Sequence, residues 1–370
     1  MKMKTKSTIM YIALPYVMNE MKYDRHVQVV GDKASRMKYL DALEEEIRIT
    51  AEEYESTCFE AVRIGGSSPS VMDPDRIGRM LQLTKKLYAV DPRAEVSIKA
   101  IPNTVCTPSL TGWAYGNPTR MSLKIDSLKS EELRALGRPW TVQDVQNAIL
   151  FLDKFHVVNI DAQLMYGIDG QSITSWRQTL RSVLDLEPLH VTVLPMLRSG
   201  SVDDGSGNSR DFYDAALDIL MQHGFEHYAV GRFAKSDHRD LYHSALLEGA
   251  DVVGFGLGAR SLNDGFAYAN TPEYGKYVEN GSDPSMAIVD PLALEAEAQL
   301  AIHVDRRVRL MDGFDLAVMA NDFGCAFPAK LKRGIEAWVA RGWIRESDTI
   351  IRLTNEGACA CNGGESLLRA

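Results

Sequence analysis

Short apolar runs alternate with amphipathic helical stretches over the first two hundred residues, and this alternation restricts the fold more than any other feature. The pattern is expected of a parallel sheet whose strands are joined by crossover helices. Helical apolar spacing covers Tyr39–Ile47, Ile77–Tyr88 and Val142–Phe155. The sequence therefore predicts an α/β fold with a partial (β/α)6 barrel. Its strands are expected at Ile9–Leu14, Ala61–Ile64, Glu95–Ala100, Arg120–Ile125, Val157–Leu164 and His190–Leu194.

The second half of the chain has a different pattern. The run RSGSVDDGSGN at 198–208 indicates a loop. An α+β extension should follow, with a helix at Asp211–His223, a strand at Glu226–Gly231 and the glycine-rich GFGLGARS at 254–261. From about Pro291 three helical stretches and a hairpin predict a winged-helix-like tail, at 291–311, 315–323, 328–341 and 350–353. The domains are thus expected at 1–205, 206–290 and 291–370.

Composition restricts the partners. The formal net charge of −9 and the pI near 5.5 argue against a broad nucleic-acid footprint, which needs concentrated Lys and Arg. The apolar run after the basic N-terminus is short and contains Pro15, so we expect neither a signal peptide nor a membrane span. Five scattered cysteines fit a reducing cytoplasm better than a disulfide framework. The oligomeric state stays open.

Ordered motifs run through most of the chain. They are MYIALPYVMNEMKYD at 10–24, IGGSSPS at 64–70, EVSIKAIP at 95–102, TRMSLKIDS at 119–127, LGRPWT at 136–141 and NIDAQLMYGIDGQS at 159–172. In this order they resemble the oxygen-independent coproporphyrinogen III oxidase and haem-chaperone-like branch of the radical S-adenosylmethionine (SAM) superfamily. The resemblance implies a barrel of the radical SAM type.

The first motif departs from the family pattern YIHIPFCxxxCxYC. The three cysteine places fall on Val17, Met21 and Asp24, and none of these side chains supplies a thiolate. Cys359 and Cys361 lie far away in the tail. The resemblance implies SAM as a cosubstrate, whereas the missing thiolates predict no iron–sulfur cluster, and no other metal site is expected.

The remaining motifs imply a SAM pocket. By resemblance, Gly65, Gly66, Ser67 and Ser68 would let the backbone approach the methionyl group. Tyr11 would flank the sulfonium and adenine. Arg138 would pair with the methionyl carboxylate, and Asp161 would contact SAM near its ribose.

Two positions have a different residue type from the family pattern. The glutamate that faces the methionyl ammonium is Lys99 here, and the family glutamine is Asp126. The two could exchange roles and bind SAM in an altered pose, or form an internal ion pair with each other. Both readings stay open from the sequence.

Candidate catalytic groups at the barrel mouth are Asp24, Tyr23 and His190, the last being the counterpart of a strand-end histidine in the family. Each also has a plain structural reading as a loop carboxylate, a packing ring or a buried histidine. Three hypotheses result. The protein uses SAM by a polar route on a small-molecule acceptor, through methyl or aminocarboxypropyl transfer or an intramolecular displacement. Alternatively it is a non-catalytic SAM- or tetrapyrrole-binding protein, or a radical enzyme with an unrecognised cluster.

Overall fold

The computed structural model of the protein describes residues 7–21, 24, 26–197, 208–279 and 283–369. Its strands are β1 Thr8–Ala13, β2 Tyr16–Val17, β3 Val29–Val30, β4 Cys58–Gly65, β5 Ala89–Ala100, β6 Arg120–Asp126, β7 Ile160–Tyr166, β8 His190–Pro195, β9 Glu226–Ala229, β10 Arg232–Ala234, β11 Asp251–Phe255, β12 Arg260–Asn263, β13 Phe266–Asn270, β14 Ile288–Ala293, β15 Phe314–Asp315, β16 Ile344–Ser347 and β17 Ile350–Leu353.

The α-helices lie between these strands and at the C-terminal side of the chain. They are α1 Lys33–Ile49, α2 Pro74–Leu87, α3 Thr107–Ala114, α4 Ser130–Ala135, α5 Val142–Lys154, α6 Ile173–Leu184, α7 Asn208–Gln222, α8 Leu241–Glu248, α9 Tyr274–Glu279, α10 Ala296–Arg307, α11 Leu316–Phe323, α12 Ala329–Ala340 and α13 Asn355–Asn362. Among the described residues, no helix has the length and apolar character needed to cross a membrane.

The chain forms two compact units, and neither unit is continuous in sequence. The first unit comprises Met1–Ile125, Leu136–Asp161 and Ala250–Ala293, and the second comprises Asp126–Ala135, Ala162–Gly249 and Leu294–Ala370. The division at 1–205, 206–290 and 291–370 stays a prediction about folding domains.

The first unit is built on a sheet with the strand order β14-β13-β12-β11-β1-β4-β5-β6. Strands β11, β1, β4, β5 and β6 run parallel, whereas β12, β13 and β14 add antiparallel pairs. Every residue of β6 is buried, as expected for a parallel strand covered on both faces. The predicted α/β pattern is confirmed, and the carboxyl ends of these parallel strands meet at one edge.

Helix α1 fixes a glycine-rich turn at that edge. Its buried Glu46 accepts hydrogen bonds from the Gly256 N–H at 2.9 Å, the Asn270 amide at 2.6 Å and the Tyr277 hydroxyl at 2.5 Å. Gly256 has a φ of +94°, and a Cβ there would lie 2.6 Å from the Ala13 carbonyl oxygen. The turn after β11 therefore packs against the end of β1.

The second unit contains β7 from Ala162 onwards together with β8, β10 and β9, in the order β7-β8-β10-β9, and β8 and β10 pair antiparallel. In its tail, the three-stranded order β15-β17-β16 accompanies helices α10 to α13. Cys359 and Cys361, which the sequence places in the tail, lie in helix α13. Whether the tail is a winged helix stays a prediction.

The predicted elements are found with shifted boundaries. Strand β5 begins at Ala89 and β7 only at Ile160. The predicted helix at 291–311 is shorter, because β14 occupies Ile288–Ala293 and α10 begins at Ala296. The predicted strand at Glu226–Gly231 ends at Ala229, since Gly231 turns with a φ of +65°. Residues 198–207 of the predicted loop lie outside the described residues.

Candidate functional site

A loop follows β1, and we call its described residues 14–21, 24 and 26–28 the mouth loop. The Leu14 N–H donates to the Gly65 carbonyl at 2.8 Å, and β2 pairs with β3 across the base of the loop. The Gln28 side chain binds both the N–H and the carbonyl of Met21. Val17 and Met21 are buried in this arrangement. Two of the family's cysteine places are thus occupied by packed apolar side chains.

The glycine–serine segment after β4 is shaped by this loop. A Cβ at Gly65 would lie 2.5 Å from the Tyr11 ring, and one at Gly66, where φ is +112°, would lie 2.3 Å from the Leu14 carbonyl oxygen. The Ser67 hydroxyl donates to the Val27 carbonyl at 3.3 Å, and the Ser68 hydroxyl to the Met21 sulfur at 3.8 Å. All four residues predicted to approach a cofactor therefore also hold strand β1 and the mouth loop in place.

Tyr11 lies on β1 beside this segment and is the register partner of Arg63 on β4. Burial raises the pKa of Tyr11 to about 12, against the opposing effects of the nearby Arg63 charge and a hydrogen bond from the Gly66 backbone. Tyr11 is thus a neutral phenol at physiological pH, with its ring against Gly65.

Asp24 is the charged centre of the mouth loop. Its carboxylate accepts a hydrogen bond from Lys124 at 3.0 Å, and its other oxygen contacts the His26 ring nitrogen Nδ1 at 2.7 Å. The side chain is only 3% exposed. Burial alone would raise the pKa of this carboxyl, but the His26 hydrogen bond and the Lys99 and Lys124 charges hold it well below its usual range. Asp24 is therefore a fixed buried carboxylate.

His26 and Lys124 are site residues that the sequence reasoning missed. The His26 side chain is 47% exposed, and burial of the ring lowers its pKa while Asp24 opposes that shift. Lys124 reaches the loop from the middle of β6, with a side chain 8% exposed. A lysine inside the predicted strand of the motif TRMSLKIDS was the available signal for Lys124, whereas a loop histidine two residues after an aspartate gives almost none.

Lys99 and Asp126, the two positions that differ from the family pattern, lie in different units. Lys99 donates from Nζ to the Gly66 carbonyl at 3.0 Å, and its charge acts on Asp24. Asp126 ends β6 with a φ of +61° and belongs to the second unit. The structure therefore brings Lys99 to the Asp24 cluster, and an exchange of roles between Lys99 and Asp126 stays a prediction.

Arg138 and Asp161 also belong to the first unit. Asp161 lies on β7 and is fully buried, while Arg138 is largely buried with its guanidinium 5.5 Å from the Trp140 ring centroid. Their predicted contacts with SAM remain predictions.

His190 belongs to the second unit and begins β8. It is fully buried, with Nε2 2.9 Å from the Tyr228 hydroxyl. Sites of barrel proteins lie at the carboxyl ends of the strands, whereas His190 is at an amino end. These observations favour the plain structural reading of His190 over the predicted catalytic one. Tyr23, the other catalytic candidate, lies outside the described residues.

The cysteines do not come together as a ligand set. Cys58 begins β4, Cys106 precedes α3, and Cys359 and Cys361 are buried in α13, where burial raises the pKa of Cys361 to about 12. Within the described ranges, there is no group of three or more His, Cys, Asp or Glu residues that could hold a metal ion.

A cavity of about 300 Å³ lies in the first unit at the amino ends of β6 and β7, away from the mouth loop. Trp113, Phe155 and Arg120 are among its lining residues. Arg120 is ion-paired with Glu95 at 2.6 Å, so this cavity carries a neutralised charge pair. None of the predicted site residues lines it.

Comparisons with known proteins find relatives along nearly the whole chain. A haem chaperone HemW from Lactococcus lactis is 21% identical, over 96% of this chain and 95% of the relative. An oxygen-independent coproporphyrinogen III oxidase from Bradyrhizobium diazoefficiens is 22% identical, over 98% of this chain and 85% of the relative. An anaerobilin synthase from Escherichia coli is 23% identical, over 95% of this chain and 81% of the relative. No family model matches the chain.

These relatives correct the cofactor expectation. The prediction that no iron–sulfur cluster is present is wrong, because the chain matches, along nearly its full length, proteins of the radical SAM type, which combine a four-iron four-sulfur cluster with SAM. The described side chains nevertheless do not fit a three-thiolate ligand set, since Val17 and Met21 are packed and Asp24 is tied to Lys124 and His26. We therefore derive no chemical step through a cluster.

The fold comparison agrees with the sequence relatives. The solved structure of coproporphyrinogen III oxidase (HemN) from Escherichia coli, described as a radical SAM enzyme, matches with a TM-score of 0.81 and 18% identity. The match covers 97% of this chain and 90% of that chain. The chain is therefore a homologue of the HemW- and HemN-type radical SAM proteins and has the coproporphyrinogen oxidase fold.

Proposed function

We propose that the mouth of the first unit binds SAM and that the protein uses it in a polar reaction. The reaction is methyl transfer, aminocarboxypropyl transfer or an intramolecular displacement. The observation that carries the proposal is the buried Asp24 carboxylate, held between Lys124 and His26 beside the glycine–serine segment. This cluster offers acid–base chemistry at the end of the sheet where barrel proteins hold their ligands.

We assign the ligand contacts to the residues of the predicted pocket. The Tyr11 ring, as a neutral phenol, presents an aromatic face suited to a sulfonium cation. Gly65 to Ser68 offer backbone without bulky side chains. Arg138 supplies a fork for the methionyl carboxylate, and Asp161 an acceptor for the ribose hydroxyls.

SAM reacts with nucleophiles because its sulfonium is a good leaving group. The protein's contribution would be to place the acceptor in line with the breaking C–S bond and to remove a proton. Calorimetric titration with SAM tests binding. Mass spectrometry for S-adenosylhomocysteine, methylthioadenosine and deoxyadenosine then separates the reaction types. Absence of heat on titration would refute the proposal, and deoxyadenosine as the sole product would replace the polar route by a radical one.

Tetrapyrrole binding is a second candidate function. It is supported by the names of the relatives, a haem chaperone and a coproporphyrinogen oxidase, and by the half-exposed His26 imidazole, which Asp24 orients. A histidine held through one ring nitrogen is a suitable ligand for haem iron through the other. A Soret shift on haem addition that His26→Ala abolishes would support this candidate, and an unshifted band would remove it.

A further inference from the structure

The pair Asp24–His26 has the geometry of a proton-transfer dyad. Asp24 Oδ1 lies 2.7 Å from His26 Nδ1, and the same oxygen accepts the His26 backbone N–H at 3.1 Å. The second oxygen, Oδ2, accepts from Lys124 at 3.0 Å. The carboxylate thus has three contacts, two with His26 and one with Lys124.

This contact decides the tautomer of His26. A carboxylate only accepts hydrogen bonds, so the neutral imidazole must carry its proton on Nδ1 to satisfy Asp24. The lone pair is then on Nε2. Because the His26 side chain is 47% exposed while Asp24 is 3% exposed, the ring lies between a buried anion and the solvent-accessible mouth. Nε2 is therefore the basic atom that an arriving molecule can meet.

The charges around the ring come from three elements of the first unit. Burial of the ring has the largest effect and opposes protonation, and the charges of Lys99 on β5 and Lys124 on β6 oppose it as well. Asp24 stabilises the protonated imidazole, and the net effect lowers the pKa of His26. An imidazole of this kind is neutral at physiological pH and ready to accept a proton.

We propose that His26 is the general base of this protein and that Asp24 is its positioning residue. The inference rests on the proposed use of SAM, and it names the class of acceptor substrate. That class is a protic nucleophile, with an O–H, N–H or S–H group that loses its proton when it is alkylated.

The step balances without a further reactant. The nucleophile's lone pair forms a bond to one sulfonium-attached carbon of SAM, and the C–S electron pair returns to sulfur, which becomes a neutral thioether. The proton of the nucleophile passes to His26 Nε2. The resulting imidazolium is paired with the Asp24 carboxylate and releases its proton to solvent at the exposed side of the ring.

A purely structural role predicts different behaviour. The Asp24 Oδ1 contact with the His26 backbone N–H is a local turn hydrogen bond, and such bonds shape loops. If that were the whole role, His26→Gln would leave every property of the site unchanged. The ring contact at 2.7 Å and the charge of Lys124 would then have no consequence for reactivity.

The test begins with nitrogen-15 NMR of the histidine side chains in the full-length protein, which needs neither SAM nor an acceptor. We expect the His26 signal, assigned by its loss in His26→Gln, to report an Nδ1–H tautomer in the wild type. In Asp24→Asn we expect a tautomer mixture. The exposed His223→Gln is the matched control. A wild-type His26 with Nε2–H, or a signal that Asp24→Asn leaves unchanged, would overturn the dyad.

The second arm measures transfer from SAM to a panel of thiol, amine and phenol acceptors. We expect His26→Gln to lower the rate at saturating SAM by about a hundredfold while the SAM affinity is kept, and the acidic limb of the pH–rate profile to disappear. Unchanged rate and profile would refute the base assignment. If wild type binds no SAM but shows the Nδ1–H tautomer, the proposed function has failed and the dyad geometry has not.

Discussion

Lys124, in the middle of β6, donates a hydrogen bond across 3.0 Å to Asp24 in the mouth loop, a hundred residues earlier in the chain. The two side chains are 8% and 3% exposed. A charge pair so shielded from water links the loop to the sheet with little screening by salt. It ties Asp24, which contacts the His26 ring, to strand β6.

Removal of one partner of this pair should be costly. Lys124→Met leaves the Asp24 carboxylate buried without its lysine, and breaking a buried pair typically costs about 3–5 kcal/mol. We expect urea denaturation to show a loss of that order. The double variant Lys124→Met with Asp24→Asn should recover part of it, because the uncompensated charge is gone. Equal stability of the single variant and the wild type would contradict a buried pair.

Low pH should reduce the stability of the folded protein through protonation of Asp24. Its pKa in the folded protein is below the unfolded value, so its contribution is fully present above the unfolded pKa, near about pH 4, and is lost as the pH falls towards the folded pKa. Between roughly pH 6 and pH 3, the free energy of unfolding should therefore change less with pH for Asp24→Asn than for wild type. Parallel pH profiles of the two proteins would show that Asp24 does not have a depressed pKa.

Gly66 should resist substitution for reasons independent of any ligand. In Gly66→Ala the backbone keeps a φ of +112° and the new Cβ meets the Leu14 carbonyl oxygen at 2.3 Å. We expect a loss of stability of about 1–3 kcal/mol or more. Gly275→Ala in α9, with nothing within 4 Å of the Cβ, is the control and should be close to neutral. A thermal melt of both variants compares them directly, and equal melting temperatures would contradict the close approach.

The sequence predicted the strands of the parallel sheet well, because buried runs such as β1 are apolar enough to stand out from the amphipathic helices. It did not predict that residues Ala250–Ala293 return to the first unit, where β11 pairs with β1. That pairing joins residues about 240 positions apart and leaves no local periodicity. For the same reason Lys124 and Asp24 were not paired, and His26, in a loop, had no pattern to identify it.

Glu46 should show the opposite pH dependence to Asp24. Burial raises the pKa of this carboxyl, against the hydrogen bonds from Tyr277, Gly256 and Asn270. A folded pKa above the unfolded one means that the unfolded chain loses its proton first, so stability falls as the pH rises between the two values. We expect Glu46→Gln to remove this fall, seen as urea midpoints that no longer decline from about pH 4.5 upwards. A decline that persists in the variant would assign it to another group.

Arg138 allows the proposed SAM pose to be tested by the shape of its side chain. A guanidinium makes two parallel hydrogen bonds to a carboxylate, whereas lysine supplies the charge without the fork. If Arg138 holds the methionyl carboxylate, Arg138→Ala should lower SAM affinity by about tenfold to a hundredfold, since such bonds are worth about 1.5–3 kcal/mol. The SAM affinity of Arg138→Lys should lie between those of the wild type and Arg138→Ala. Methylthioadenosine lacks the amino-acid part, so calorimetry should find its affinity equal in all three proteins. An equal loss for both ligands would instead mean that Arg138 supports the pocket through its packing on Trp140.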